Sequence, residues 1–140
     1  MPVKSGETRP IKTEDDIALV RHSVKRVVAL LNFSLLNQTK TITAASELAR
    51  NTLEHGGGGS AQIQIVDDGN RIGVRMTFED QGPGIPDLDQ AMEDGYTTGS
   101  GMGLGLGGAK RLMDEFKIGP NEDSGGQGIR VCITKWQDKA

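Results

Sequence analysis

The sequence predicts an α+β domain in which helices cover one face of a mostly antiparallel sheet. Two helical segments come first, a pair of alternating strands follows, and a helix and a final strand close the chain. Strands do not alternate with helices in the manner of a doubly wound parallel sheet. The chain has 140 residues, the length of one domain, so residues 1–140 are expected to form a single unit.

The first predicted helix begins at Thr13-Glu-Asp-Asp16, because a threonine followed three residues later by an acid is typical of a helix start. Apolar residues then recur at the spacing of one helical face. They are Ile17, Val20, Val24, Val27, Val28 and Leu31. The polar residues 1–12 before this helix are predicted to be frayed or to form an edge strand around Arg9–Lys12.

A second helix is predicted from about Thr41 to Glu54. Its inner face consists of Ile42, Ala45, Leu48, Ala49 and Thr52. The segment His55-Gly-Gly-Gly-Gly59 ends it, because four consecutive glycines do not propagate a helix.

Two alternating runs then predict a β-hairpin. The first run contains Ile63 and Ile65, and the second contains Ile72, Val74, Met76 and Phe78. Asp68-Gly69-Asn70 between them has the composition of a hairpin turn. The last strand is expected over Ile129, Val131 and Ile133, ending near Trp136.

The segment between these strands is rich in glycine. Glu79–Pro86 is a loop by composition, Leu88–Glu93 permits a short helix, and Asp94–Ser100 is again a loop. Five glycines then fall within the eight residues 101–108, and a helix is predicted to continue to about Phe116. Free N–H groups and the helix dipole at such a helix start favour an anion such as phosphate.

Composition excludes several classes of function. The net charge of −3 gives no electrostatic support to general DNA or RNA binding. No window approaches the ~20 apolar residues of a membrane span and residues 1–12 contain no apolar signal core, so a soluble, cytoplasmic protein is expected. His22 and His55 are the only histidines, and Cys132, predicted to be a buried strand thiol, is the only cysteine. A zinc site and an internal disulfide are therefore not expected.

Three short patterns are candidates for chemistry. Glu47, Asn51 and His55 recur every four residues and so share one helical face, although a solvated acid, a helix-end amide and a capping histidine would look the same. Asp80 at a strand end either caps a turn or accepts a hydrogen bond from an exocyclic amine of a base. The glycine run formally matches a dinucleotide fingerprint but does not follow a strand, and it lacks the Lys-Ser/Thr ending of a Walker A loop.

In this order, the three patterns resemble the ATP-binding Bergerat fold shared by gyrase, Hsp90, histidine kinases and MutL (the GHKL superfamily). Glu47–Asn51 is similar to its N box, Asp80–Gly84 to its first glycine box, and Gly101–Gly107 to its second. Within the superfamily, the stretch from Glu93 to Phe116 resembles the small bacterial serine/threonine kinases of partner-switching cascades, in particular the stressosome switch kinases of the RsbT type. The short segment between the glycine boxes agrees with these kinases.

The resemblance implies a role for each matching residue. Glu47 would be the general base, Asn51 would ligate Mg²⁺ between the phosphates of ATP, and Asp80 would hold the adenine amino group. The glycines would make room for the base (Gly82 and Gly84) and wrap the phosphates (Gly101, Gly103, Gly105 and Gly107). One departure is Ile129, which stands in Gly126-Gln-Gly128-Ile129 where the family often has a threonine that helps to bind adenine.

The resemblance also implies partners. The expected function is an ATP-dependent serine/threonine kinase that phosphorylates a STAS-domain protein and, once released, activates a PP2C-type phosphatase. Three alternatives remain open: an anti-sigma factor kinase of the same fold, a detached histidine-kinase catalytic domain, and a non-enzymatic scaffold. Neither His22 nor His55 is followed by the acid of a histidine phosphoacceptor. A dimerising hairpin before the domain is not expected.

Overall fold

The computed structural model describes residues 3–83 and 106–137. Within these ranges the elements are β1 (Val3–Ile11), α1 (Glu14–Leu30), α2 (Leu35–Glu54), β2 (Gly59–Asp67), β3 (Ile72–Asp80), α3 (Leu106–Leu112), β4 (Glu115–Pro120) and β5 (Ile129–Trp136). A short 3-10 turn, Glu122–Ser124, connects β4 to β5. The predicted helix at 88–93, the loop at 94–100 and four of the glycines (Gly84, Gly101, Gly103 and Gly105) lie outside the described residues.

The five strands form one antiparallel sheet in the order β1-β2-β3-β5-β4. The α+β prediction is therefore confirmed. β1 is an edge strand, which was one of the two predictions for the N-terminus. The strand begins at Val3 and is longer than the predicted 9–12. No helix in the described parts of the chain is long and apolar enough to cross a membrane.

The helices bury their apolar faces against one side of the sheet. The predicted inner residues of α1 are buried, and so are those of α2 apart from Ile42, which is half-buried. Val24 and Leu48 from the helices share one core with Ile63, Met76 and Ile133 from the three central strands. Burying a side chain of this size stabilises the fold by about 1.5–3 kcal/mol.

The start of α2 was predicted six residues too late. Ser34 is the N-cap, and its Oγ accepts a hydrogen bond from the backbone N–H of Asn37 at 3.2 Å. Leu35 and Leu36 in the first turn are 81% and 65% exposed, so this turn carries no inward apolar repeat from which a helix can be predicted.

The end of α3 was also predicted wrongly, because the helix ends at Leu112 and not near Phe116. Lys135 Nζ donates a hydrogen bond to the carbonyl oxygen of Leu112 at 3.2 Å, and Asp114 accepts one from the backbone N–H of Trp136 at 2.8 Å. Phe116 then pairs with Ile133 in the register of β4 and β5. Strand pairing with β5 overrides the local helical pattern.

Candidate functional site

A pocket lies where the C-terminal end of α2 meets the end of β3 and the start of β5. Its apolar walls come from Leu48, Phe78, Leu106, Ile129 and Val131, and its polar groups from Asn51, Thr52, His55 and Asp80. The sheet and α2 thus bring together two predicted site residues, Asn51 and Asp80, which are 29 positions apart in the sequence. An apolar pocket with a few converging polar groups is the usual form of a small-molecule site.

The Asp80 carboxylate is held in place by backbone groups. Its Oδ1 accepts hydrogen bonds from the backbone N–H groups of Gly82 at 3.0 Å and Ile129 at 3.2 Å. Its Oδ2 receives no hydrogen bond from the described residues. One carboxylate oxygen therefore orients the side chain, and the other is left for a donor from a ligand.

Glycines allow the backbone to approach Asp80 closely on two sides. A Cβ on Gly56 would lie 2.4 Å from Asp80 Oδ2, and a Cβ on Gly128 would lie 2.1 Å from the Asp80 carbonyl oxygen. Gly128 also has a φ of +81°, which favours glycine. Gly82 was predicted to make room for a base, and a Cβ there would lie 2.7 Å from the Gly56 carbonyl oxygen. Gly82 therefore makes room for the backbone of Gly56 in this structure.

Asn121 supports Asp80 from the β4–β5 connection, and the sequence analysis missed it. The side chain is 2% exposed, and its Nδ2 donates a hydrogen bond to the Asp80 carbonyl oxygen at 2.8 Å. Beside it, Arg130 pairs with Glu79 at 3.0 Å and with Asp123. No local pattern marks Asn121, because its partner is 41 residues away.

Glu47 lies one helical turn before Asn51 on α2 and differs from Asp80 in its surroundings. Its side chain is exposed, it is not part of the pocket lining, and it makes no hydrogen bond or ion pair with the described residues. Its neighbour Arg50 pairs instead with Glu14 at 3.7 Å and Glu54 at 3.5 Å. Glu47 is thus an exposed carboxylate on α2, accessible to a large partner.

His55 is the C-cap residue of α2, as expected, and it also lines the pocket. At the other wall, the buried Leu106 begins α3 directly after the predicted phosphate-binding glycines. Of those glycines only Gly107 is described, and it lies in the first turn of α3. Cys132 is half-buried and accepts a hydrogen bond from Thr77 Oγ1 at 3.7 Å, away from this pocket.

Ile129 has two contacts with the site. Its side chain lines the pocket, and its backbone N–H donates to Asp80 Oδ1. The position at which the family often has threonine therefore still orients the carboxylate, through the backbone. Taken together, a carboxylate oxygen without a donor, apolar walls and closely packed glycine backbone suit a flat purine ring with an exocyclic amino group.

The sheet order, the helical layer and this site at the ends of α2 and β3 define an ATPase of the GHKL class. Residues 37–138 match the family model described as "Histidine kinase-, DNA gyrase B-, and HSP90-like ATPase". The match covers most of the chain, and the chain belongs to this family.

Two curated relatives narrow the class. The chain is 43% identical over 126 residues to the serine/threonine-protein kinase RsbT of Bacillus subtilis, covering 90% of this chain and 92% of the relative. It is 29% identical over 132 residues to an anti-sigma F factor of Bacillus licheniformis, covering 88% and 86% of the two chains. The expectation of a serine/threonine kinase of the RsbT type is confirmed by the first similarity.

A solved structure shows the same fold at lower identity. The chain superposes with a TM-score of 0.66 on the crystal structure of the RsbU and RsbW domains of Rv1364c from Mycobacterium tuberculosis. The identity is 19%, and the match covers 98% of this chain and 34% of that longer one.

Proposed function

We propose that this protein is the kinase of a partner-switching cascade, which transfers phosphate from ATP to a serine or threonine of a STAS-domain protein in the cytoplasm. The proposal is carried by the presence of two different carboxylates. Asp80 is oriented by backbone hydrogen bonds in an apolar pocket, and Glu47 is exposed on the neighbouring turn of α2. Similarity to RsbT over nine-tenths of both chains supports the same assignment.

The composition of the pocket lining supports adenine as its ligand. Asp80 Oδ2, without a donor among the described residues, would accept a hydrogen bond from the adenine amino group. Leu48, Phe78 and Val131 would contact the ring. Guanine presents a carbonyl oxygen in place of that amino group, so the same carboxylate would disfavour GTP.

The chemistry is assigned to the neighbouring turn of α2. ATP supplies the transferable phosphoryl group when bound, and Mg²⁺ neutralises phosphate charge. Asn51 would hold Mg²⁺ through its side-chain oxygen, a ligand type that Mg²⁺ prefers. Glu47, exposed one turn earlier, would accept the proton of the attacking hydroxyl. The predicted glycines Gly84, Gly101, Gly103, Gly105 and Gly107 would complete the base and phosphate sites.

The proposed partners follow from the kinase class. A STAS-domain protein would be both the substrate and the sequestering partner, and phosphorylation would release the kinase to activate a PP2C-type phosphatase. The alternative is an anti-sigma factor kinase, favoured by the 29% identity to an anti-sigma F factor. The higher identity to RsbT supports the switch kinase over this alternative.

Phosphotransfer from labelled ATP tests the proposal. The protein would be incubated with [γ-³²P]ATP, Mg²⁺ and purified candidate STAS-domain proteins, with Asn51→Ala as the inactive control. Label on a STAS serine or threonine, dependent on Mg²⁺ and absent with Asn51→Ala, is the expected result. Stable capture of a sigma factor would instead establish the anti-sigma alternative.

A further inference from the structure

His55 lines the candidate nucleotide pocket, and its imidazole has a nitrogen without a hydrogen-bond partner. The backbone N–H of His55 donates to the Asn51 carbonyl oxygen at 2.9 Å and closes α2. The ring Nε2 is buried and has no hydrogen-bond partner. Within the described residues it is the only buried side-chain nitrogen or oxygen in this state.

Such a nitrogen requires an explanation. Each imidazole nitrogen is either a hydrogen-bond donor or an acceptor, and burying one without a partner forfeits the hydrogen bond that water would have made. Folded proteins seldom leave such groups unpaired, so each one that remains calls for an explanation, such as a functional role.

The described residues around the pocket offer no partner for Nε2. Asp80 Oδ1 already accepts two backbone hydrogen bonds, and neither oxygen of its carboxylate accepts one from His55 Nε2. Among the other lining residues, Thr52 Oγ1 donates its hydrogen bond to the Leu48 carbonyl oxygen, and Leu106 and Phe78 are apolar. Because His55 itself lines the pocket, a ligand bound there is the candidate partner for Nε2.

We propose that His55 Nε2 forms a hydrogen bond with the adenine nucleotide bound in this pocket and acts with Asp80 as a specificity-determining contact. This inference rests on the proposed function, which supplies the nucleotide. The adenosine moiety carries ring nitrogens and ribose hydroxyls that can pair with either protonation state of Nε2. The contact is a directional hydrogen bond, so an aromatic ring without nitrogen does not replace it.

Two substitutions separate hydrogen bonding from ring packing. His55→Phe keeps an aromatic ring and removes Nε2, whereas His55→Gln keeps a side-chain amide that can pair. We expect His55→Phe to weaken ATP binding about tenfold, measured by isothermal titration calorimetry with Mg-ATP, and His55→Gln to stay within about threefold of the parent. The matched control is His22→Phe on the exposed face of α1, which should leave the ATP affinity unchanged.

The Tm of the ATP-free His55→Phe variant shows whether Nε2 also stabilises the fold. If Nε2 serves the ligand alone, His55→Phe removes a buried unpaired polar atom and should not lower the Tm of the ATP-free protein. Weaker ATP binding without loss of Tm supports the proposal. Equal ATP affinities of the parent and His55→Phe would overturn it.

A measurement on the unsubstituted protein does not depend on variant folding. The chain has two histidines, so ¹⁵N-histidine labelling gives a simple imidazole spectrum. Mg-ATP should shift the Nε2 resonance of His55 and leave that of His22 in place. ATP binding with an unshifted His55 resonance overturns this inference alone, whereas no ATP binding by the parent overturns the proposed function and this inference with it.

Discussion

The two candidate carboxylates, Asp80 and Glu47, occupy opposite environments. Asp80 accepts two backbone hydrogen bonds on Oδ1, its carbonyl oxygen is held by Asn121, and glycines pack on both sides of it. Glu47 is exposed and makes no hydrogen bond or ion pair with the described residues. One carboxylate is fixed before any ligand arrives, and the other is free.

The difference corresponds to two tasks. Recognition of a base gains from preorganisation, because a fixed acceptor loses little entropy when the ligand binds. A general base for a protein substrate has to meet a hydroxyl that arrives with the partner, so exposure is an advantage at that position. We therefore assign nucleotide selectivity to Asp80 at the end of β3 and proton transfer during phosphorylation to Glu47 on the exposed face of α2.

The largest expected effect is on the free carboxylate. Glu47→Gln removes the proton acceptor and keeps the size of the side chain, so phosphotransfer to the STAS protein should fall by roughly 10²–10⁴-fold. ATP affinity should not change, because Glu47 lies outside the pocket lining. Glu54→Gln makes the same charge change on the same helix and should transfer phosphate at the parent rate. Parent-like transfer by Glu47→Gln would remove Glu47 from the mechanism.

Gly128→Ala tests the close packing of backbone against Asp80. The left-handed backbone and the contact 2.1 Å from the Asp80 carbonyl oxygen should together cost roughly 2–5 kcal/mol of unfolding free energy, measured by urea denaturation. Gly125 also has a positive φ, +73°, but no atom lies within 4 Å of its added Cβ. Gly125→Ala should cost only about 1 kcal/mol. Equal losses in the two variants would argue against close packing at Asp80.

Asp80→Asn tests the recognition carboxylate itself. An asparagine can still accept the two backbone hydrogen bonds on one oxygen, but it presents an amide donor where Oδ2 stood. ATP binding should weaken by roughly 1.5–3 kcal/mol, and the affinities for ATP and GTP should converge. Calorimetric titration with both nucleotides checks this, with Asp15→Asn on α1 as the control. A retained strong preference for ATP would contradict the assignment.

The smallest expected effect comes from the amide that holds the strand end. Asn121→Ala removes the 2.8 Å hydrogen bond to the Asp80 carbonyl oxygen and should cost about 1 kcal/mol of unfolding free energy, together with a modest loss of ATP affinity. Asn70→Ala in the exposed hairpin turn is the matched control. If ATP affinity is the same in both variants, Asn121 stabilises the fold without positioning Asp80.

The elements that could be predicted from the sequence are those with a clear local periodicity. The repeat of Val20, Val24 and Val28 identified α1, and alternation identified the hairpin of β2 and β3. β4 was missed because Phe116 and Ile118 follow a helical run, and only pairing with β5 makes them a strand.

The site residues likewise fall into those that a short sequence pattern predicts and those that depend on distant contacts. The N box and the Asp80 loop are short patterns that can be found by eye, and the structure brings Asn51 and Asp80 into one pocket. Asn121 and the close approach of Gly56 to Asp80 depend on contacts distant in sequence, which no single segment displays. The buried state of His55 Nε2 likewise arises only when the pocket walls meet.

The most direct test of the division between the two carboxylates measures binding and chemistry separately in Glu47→Gln and Asp80→Asn. Single-turnover transfer to the STAS protein would be recorded over a range of ATP concentrations for each variant and the parent. The account predicts that Glu47→Gln lowers the rate at saturating ATP and keeps the half-saturating concentration. Asp80→Asn should raise the half-saturating concentration and keep the rate at saturation. Loss of both quantities in both variants would contradict the account.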